Sequence, residues 1–198
     1  MANLTRNFIL APPDVRSREA GSFIAQLDDQ SQRLTEDTRT LTPAALAWQP
    51  APGLNTIGML LAHIAIVEVF WTQVGPLGLS AYESESVLGI GVDDDGMPLP
   101  EGALPPPNLQ GKGIAYYDDL LARARAYSRG VLVGLTDADL DREVRRTRRD
   151  GTVHLSNVRW VLYHMVEHLA GHYGQINLLA HQHRALAGAA DRPQPVTG

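Results

Sequence analysis

The chain has 198 residues, which suits a single domain over residues 1–198 with a sizeable core. It contains no cysteine, which excludes disulfides, thiolate metal ligands and a cysteine nucleophile, and its formal net charge of -5 gives no field that would attract nucleic acid or an anionic membrane. The N-terminal stretch lacks the long apolar run and small-residue cleavage site of a signal peptide, and we expect a cytoplasmic protein without nucleic-acid or membrane partners.

The first predicted element is an amphipathic helix that begins at Asp14, a residue able to cap a helix, and ends near Leu41. The leader before it, residues 1–13, is expected to be flexible. The helix would direct an apolar stripe towards a core and its many polar residues towards solvent. That stripe comprises Phe23, Leu27, Leu34 and Leu41.

A second helix is predicted from Asn55 or Thr56, either of which can act as its N-cap, to Val74. His63 stands in the middle of its apolar face, as a core histidine satisfied by one hydrogen bond or as a metal ligand. An unpaired buried imidazole would cost about 1–3 kcal/mol, so a partner is required in either case. The apolar stretch is interrupted by His63 and Glu68, and it falls short of a membrane span.

Residues 75–111 form a long connection rich in glycine, proline, aspartate and serine. Its acidic triplet Asp93-Asp94-Asp95, followed by Gly96, resembles part of a calcium-binding loop, but the rest of that pattern is missing. A solvated turn is therefore favoured for the triplet. Connections of this length inside one domain are often functional, and this one could form a wall of a pocket.

A third helix is predicted from Lys112 to Leu135, and a β-hairpin follows between residues 142 and 155 with Asp150-Gly151 at its turn. The hairpin carries a cluster of arginines. A solvated hairpin is the simpler interpretation; the alternative is that some of them bind a carboxylate or phosphate of a substrate, which suits the fork geometry of arginine. The cluster consists of Arg142, Arg145, Arg146, Arg148 and Arg149.

The fourth predicted helix extends from Asn157 to His183, with Ser156 or Asn157 as its N-cap. The tail over residues 185–198 is expected to be flexible. Together the four long amphipathic helices predict an all-α fold, a four-helix bundle with a long connection between its second and third helices.

Three histidines of the fourth helix, His164, His168 and His172, recur at intervals of four residues and therefore lie within an arc of about 80° on one face. Gln175 falls inside the same arc. Two histidines spaced in this way can direct their imidazoles at one metal ion. In zinc proteases a glutamate directly follows the first histidine of such a pair, and this chain has a leucine there. The pair His168 and His172 alone is therefore compatible with a metal site or with a helix rich in solvated histidines.

Two separated segments carry a recognisable combination of motifs. In the first, Trp48-x-Pro-x-Pro-Gly53 is followed by Thr56 and by the sequence LLAHI, which contains His63. In the second, the sequence RWVLYHMVEH leads into the pattern HxxxHxGQ over residues 168–175. In these motifs the chain resembles the DinB-like (YfiT-like) metalloenzyme superfamily, and the resemblance covers most of the chain in order and spacing.

This resemblance implies a four-helix bundle, often a homodimer, in which one histidine of the second helix and two of the fourth hold a divalent metal. On the matching positions the ligands are His63, His168 and His172. Related branches keep a histidine at the position of His164, which leaves it as an alternative to His168. Candidates for contacts that orient the ligands or move a proton are Glu167, Gln175 and His164.

Three neutral imidazoles leave positions open on a divalent ion, which is the arrangement of a catalytic site. Zinc or nickel is expected, and iron or manganese would also suit. The resembling family includes thiol S-transferases that use bacillithiol and enzymes that depend on mycothiol, so the resemblance implies transfer of a low-molecular-weight thiol to an electrophilic small molecule. The alternatives are a metal-dependent hydrolase at the same site and a non-catalytic, stress-related binding protein.

Overall fold

Four long helices and one β-hairpin dominate the computed structural model, which describes residues 7–80, 83–147 and 150–190. Three shorter helices and one 3-10 turn, Pro107–Leu109, lie in the connections. The α-helices are α1 (Arg18–Thr38), α2 (Pro43–Ala47), α3 (Ile57–Val74), α4 (Glu85–Leu88), α5 (Ile114–Leu132), α6 (Asp137–Asp141) and α7 (Val158–Ala190), and the strands are β1 (Glu143–Thr147) and β2 (Val153–Asn157).

The core lies between the four long helices: α3 packs on α5 and α7, and α1 packs on α7 and α5. The mostly helical architecture confirms the predicted all-α class. The β-hairpin is the exception to the all-α class, and the sequence predicted this hairpin separately.

Helix α3 is the centre of the core, because every side chain in it except those of His63 and Val67 is buried. The sequence predicted a single apolar face, but α5, α7 and the connection after α3 cover the remaining surface. Thr56 provides the predicted N-cap, its side chain accepting a hydrogen bond from the amide of Met59 at 3.1 Å. The expectation that this stretch falls short of a membrane span was wrong by length and composition, since α3 meets both criteria; however, 89% of it is buried inside the protein, as in a core helix.

Helix α1 is shorter at both ends than predicted. It begins at Arg18 because buried Ser17, and not Asp14, accepts the amide hydrogen bond of Ala20 at 3.1 Å. It ends at Thr38, whose hydroxyl donates to the carbonyl of Leu34, so the predicted end at Leu41 was wrong by three residues.

The other two long helices also differ from their predicted ends. Helix α5 begins after Gly113 and ends at Leu132, inside the predicted limits. Helix α7 begins after Asn157, whose side-chain oxygen accepts the amide hydrogen bond of Trp160 at 2.8 Å. It continues to Ala190, beyond the predicted end at His183, and residues 191–198 of the tail lie outside the described residues.

The hairpin between α6 and α7 confirms the prediction for residues 142–155. Its two strands pair antiparallel, with Val144 opposite Ser156 and Arg146 opposite His154. Gly151 adopts a φ of 82°, which a glycine accommodates without strain. Residues 148 and 149, with two of the five arginines, lie outside the described part of the turn.

Gly58, in the first turn of α3, is required where that helix meets α5. A Cβ at this position would lie 2.9 Å from Cζ of the buried Tyr117 ring and 3.2 Å from the carbonyl oxygen of Leu46. We expect Gly58→Ala to lower the free energy of unfolding by about 1–3 kcal/mol, since an overfilled core must shift. Thermal unfolding followed by circular dichroism measures the change.

Gly130 in α5 provides the matched control, because a Cβ built there meets no atom within 4 Å. Gly130→Ala should leave stability unchanged or raise it by up to about 1 kcal/mol through helix propensity. If both substitutions had the same effect, the close approach at Gly58 would have no energetic consequence.

Candidate metal centre

Three imidazoles, one from α3 and two from α7, converge at the edge of the core. Nε2 of His168 lies 3.1 Å from Nε2 of His63 and 3.1 Å from Nε2 of His172. One ligand nitrogen from each ring lies within 4.8 Å of the others. The four-residue spacing on α7 and the packing of α3 against it bring the rings together.

The opposite nitrogens of two of these rings are held by acceptors. Nδ1 of His63 lies 2.8 Å from a carboxylate oxygen of Asp95, and Nδ1 of His172 lies 2.8 Å from Oε1 of Gln175. An ionised carboxylate and an amide oxygen only accept, so each Nδ1 carries the proton. The Nε2 lone pairs of His63 and His172 therefore point into the cluster, where a divalent metal fits the donor set.

Burial favours the neutral form of the two α7 histidines in the cluster, His168 and His172. It lowers the pKa of His168 to about 3, with further lowering from the neighbouring His172, His63 and His164. Burial is also the main cause of the lowered pKa of His172, against a raising contribution from its bond to Gln175. A neutral imidazole offers a lone pair without first losing a proton, which favours metal binding near neutral pH.

Asp95 belongs to the candidate site, although the sequence did not single it out. The acidic triplet was interpreted as a solvated turn, and for Asp95 this was wrong: its side chain is 2% exposed. Its second carboxylate oxygen accepts the amide hydrogen of Met97 at 2.8 Å, so both oxygens are used. The available signal was that a histidine on the apolar face of this helix needed a partner, but nothing in the sequence pointed to a residue 32 positions away.

The other candidate residues lie at different distances from the cluster. Gln175 is hydrogen-bonded to a predicted ligand, whereas the hydrogen bond of Glu167 is with His164, at 3.3 Å. The His164 ring stacks on Trp160, with centroids 5.0 Å apart and planes within 9° of parallel. Its centroid is 6.0 Å from that of His168, so it lies next to the cluster but outside the group that could share one ion.

A cleft of about 870 Å³ opens onto His63 and His168. The connection after α3 forms one of its walls, as the sequence suggested it could, and the hairpin forms another. The cleft is therefore large enough for small molecules, and it leads to the histidines. Its lining includes Phe70, Trp71 and Val74 of α3, Val92, Asp93, Asp95 and Met97 of the connection, and Arg145, Arg146 and Thr147 of the hairpin.

The three hairpin arginines that the structure describes divide between two environments. Arg142 donates to the backbone carbonyls of Gly75 and Pro76, at 3.0 and 2.6 Å, and so ties the hairpin to the end of α3. Arg145 and Arg146 line the cleft instead.

Replacing Asp95 should weaken metal binding while leaving the helices intact. We expect Asp95→Asn to raise the Kd for zinc by about 10- to 100-fold, because a neutral amide no longer increases the basicity of His63 or fixes its tautomer as firmly. Competition against a chromophoric chelator measures this Kd.

Asp93 provides the control for the loss of one acidic charge at the cleft, since it is exposed and also lines it. Asp93→Asn should change the Kd for zinc by less than about threefold, as expected for an exposed charge. Equal effects of the two substitutions would contradict a specific role of Asp95.

Comparison with known proteins links the chain to one family. The sequence profile of the DinB superfamily matches residues 26–176. The fold is similar to a crystal structure described as the conserved protein of locus from Enterococcus faecalis, with a TM-score of 0.57 and 18% sequence identity, covering 80% of this chain and 92% of that one. At this identity the likeness concerns the fold. No curated protein matches the sequence.

Proposed function

The chain belongs to the DinB superfamily, and we propose that it is a metal-dependent enzyme whose reaction takes place in the cleft beside His63, His168 and His172. The observation that carries the proposal is the convergence of three Nε2 atoms beside an open cleft that is lined by two of the three rings, those of His63 and His168. A structural ion would be enclosed by its ligands, whereas a ligand set of three beside a cleft favours catalysis.

These three histidines would hold the ion, and zinc or nickel suits them best, with iron or manganese as further possibilities. A divalent ion in this position supplies Lewis acidity and lowers the pKa of a coordinated thiol or water. Asp95 and Gln175 hold the Nδ1 protons of His63 and His172 and so fix the orientation of both rings. Phe70 and Trp71 give the cleft an apolar wall that limits access of water to a bound substrate.

The reaction that we propose is transfer of a low-molecular-weight thiol, of the bacillithiol or mycothiol type, to an electrophilic small molecule. The sulfur forms a bond to carbon, the thiol proton passes to solvent, and the leaving group departs with its bonding electrons. Two features support this choice: the family resemblance of residues 168–175, and a cleft whose volume accommodates a thiol and an electrophile together.

The experiment that tests the proposal measures thiol consumption by zinc- and nickel-loaded protein. Bacillithiol, mycothiol, glutathione and cysteine are each incubated with a chlorinated nitroaromatic or an epoxide, and the thioether is detected by mass spectrometry. We expect product with at least one thiol, and its loss on addition of chelator and in His168→Ala.

An outcome without thioether, but with chelator-sensitive cleavage of ester or amide substrates, would replace the transferase by a hydrolase at the same centre. Absence of both activities in metal-loaded protein would favour the non-catalytic binding protein.

We also propose that the four long helices form the bundle typical of this family and that the protein is a cytoplasmic homodimer. The exposed Trp160 and Tyr163, three residues apart on α7, support an association surface. Light scattering coupled to size-exclusion chromatography measures the assembly, and a monomeric mass at micromolar concentration would contradict it.

A further inference from the structure

Arg146 occupies an unusual position in the cleft. Its guanidinium carbon lies 5.0 Å from the ring centroid of Phe70 and 5.3 Å from that of Trp71. Both rings belong to α3 and line the cleft. Stacking on aromatic rings fixes the plane of a guanidinium while leaving its N–H groups free to bind another group.

Within the described residues, Arg146 forms no ion pair. Other half-buried arginines have carboxylate partners: Arg125 bonds with Glu68, and Arg159 with Glu19. Two carboxylates of the connection after α3 line the cleft and do not serve Arg146: Asp95 is occupied by His63 and the amide of Met97, and the exposed Asp93 forms no ion pair with the guanidinium. A fixed and unpaired cation inside a cleft is a ready binding point for an anion.

A continuous series of ring contacts joins this position to the metal centre. Trp71 meets the edge of His164 at a centroid distance of 5.2 Å, and His164 lies 6.0 Å from His168. A molecule lying along these rings would have one end at the guanidinium and the other at the histidines. Arg145, the neighbouring residue in β1, lines the same cleft and adds a second positive charge.

We propose that the substrate carries an anionic group, a carboxylate or a phosphate, which Arg146 binds, and an apolar or aromatic body that packs against Phe70 and Trp71. This assigns the substrate class of the site proposed above and depends on that site being the active centre. The fork of the guanidinium suits the two oxygens of such an anion, and the apolar body would place an electrophilic carbon beside the histidines.

Calorimetric titration of metal-free protein with three matched probes tests the proposal: benzoate, phenyl phosphate and the neutral benzamide. We expect at least one anion to bind about tenfold more tightly than benzamide, as one charge-assisted hydrogen-bonding pair provides. A preference for benzoate identifies a carboxylate subsite, and a preference for phenyl phosphate a phosphate subsite. Metal-free protein removes direct coordination of the anion as an explanation.

Arg146→Gln should abolish the preference for anions, and Arg33→Gln is its control. Arg33 is an exposed residue outside the cleft lining, so its loss makes the same change in net charge without altering the site. Arg146→Lys keeps the charge without the fork and should retain only part of the preference. If Arg146→Gln unfolds at a much lower temperature than the wild type, Arg146→Lys replaces it as the variant that tests the role of Arg146 in anion binding.

Equal binding of the neutral and anionic probes, absence of binding by both anions, or an unchanged preference in the folded Arg146 variants would overturn the proposal. These results are independent of turnover. If the protein binds the anion through Arg146 but consumes no thiol, the proposed subsite is supported and the proposed transferase activity is rejected. If thioether forms but substitution of Arg146 has no effect on anion binding, the transferase activity is supported and the subsite is rejected.

Discussion

Replacing His63, His168 and His172 together with alanine should abolish the binding of divalent metal, from about one ion per chain to none. Each substitution removes one of the nitrogens that converge within 4.8 Å, and no cysteine in the chain could take their place. The measurement is elemental analysis of protein purified without an affinity tag, before and after incubation with zinc or nickel and removal of free metal. Each single substitution should raise the Kd for the metal by at least about 100-fold.

The control is a double substitution of two exposed histidines outside the cluster, His154→Ala with His181→Ala. It should leave the metal content unchanged, which separates the cluster from adventitious binding by surface imidazoles. A triple variant that keeps its ion would refute the site. Wild-type protein that takes up neither zinc nor nickel would instead indicate a molecule that has kept the fold of its family without the chemistry.

Glu68→Ala should destabilise the protein by about 3 kcal/mol, a large part of the stability of a typical domain. Glu68 is buried in α3 and receives two hydrogen bonds from Arg125 of α5, at 2.7 and 2.9 Å. Its removal leaves the half-buried guanidinium with Asp28 as its remaining carboxylate partner among the described residues, and Asp28 is 42% exposed. For a chain of this size the expected fall in Tm is roughly 6–12 °C, measured by calorimetry.

Asp29→Ala provides the comparison, because Asp29 forms an exposed ion pair with Arg33 one turn along α1. Its loss should cost less than about 1 kcal/mol. A joint replacement, Glu68→Leu with Arg125→Leu, should recover much of the stability lost in Glu68→Ala, since a buried pair replaced by apolar side chains is often neutral. Equal costs for Glu68→Ala and Asp29→Ala would contradict the energetic importance of the buried pair.

The sequence predicted the features that depend on regular spacing. Periodic apolar residues located all four long helices, and the Asp150-Gly151 pair located the hairpin. The intervals of four residues on α7 brought His168 and His172 to one side, and the resemblance added His63 from another helix. These signals are local, or they belong to a pattern shared by a family.

What the sequence could not predict depends on contacts between distant segments. The pairing of Asp95 with His63 arises because an irregular connection folds back over α3, and no periodicity describes such a path. The same holds for Arg146, because the aromatic rings that it stacks on, those of Phe70 and Trp71, belong to a helix more than 70 positions earlier in the chain. The start of α1 was misplaced because Asp14 and Ser17 are equally suitable capping residues, and packing decides between them.

The cleft is lined by two kinds of segment, core helices on one side and a connection and a hairpin on the others. One side is lined by α3 and α7, which form the core and tolerate little change, while the other walls come from the connection after α3 and from the hairpin. Substitutions in those walls, at Val92 or Thr147 for example, would alter which molecules enter without disturbing the helices. The molecule is therefore well suited to laboratory evolution: a library confined to the two walls, with Asp95 kept constant, would explore new substrates at little cost in folding.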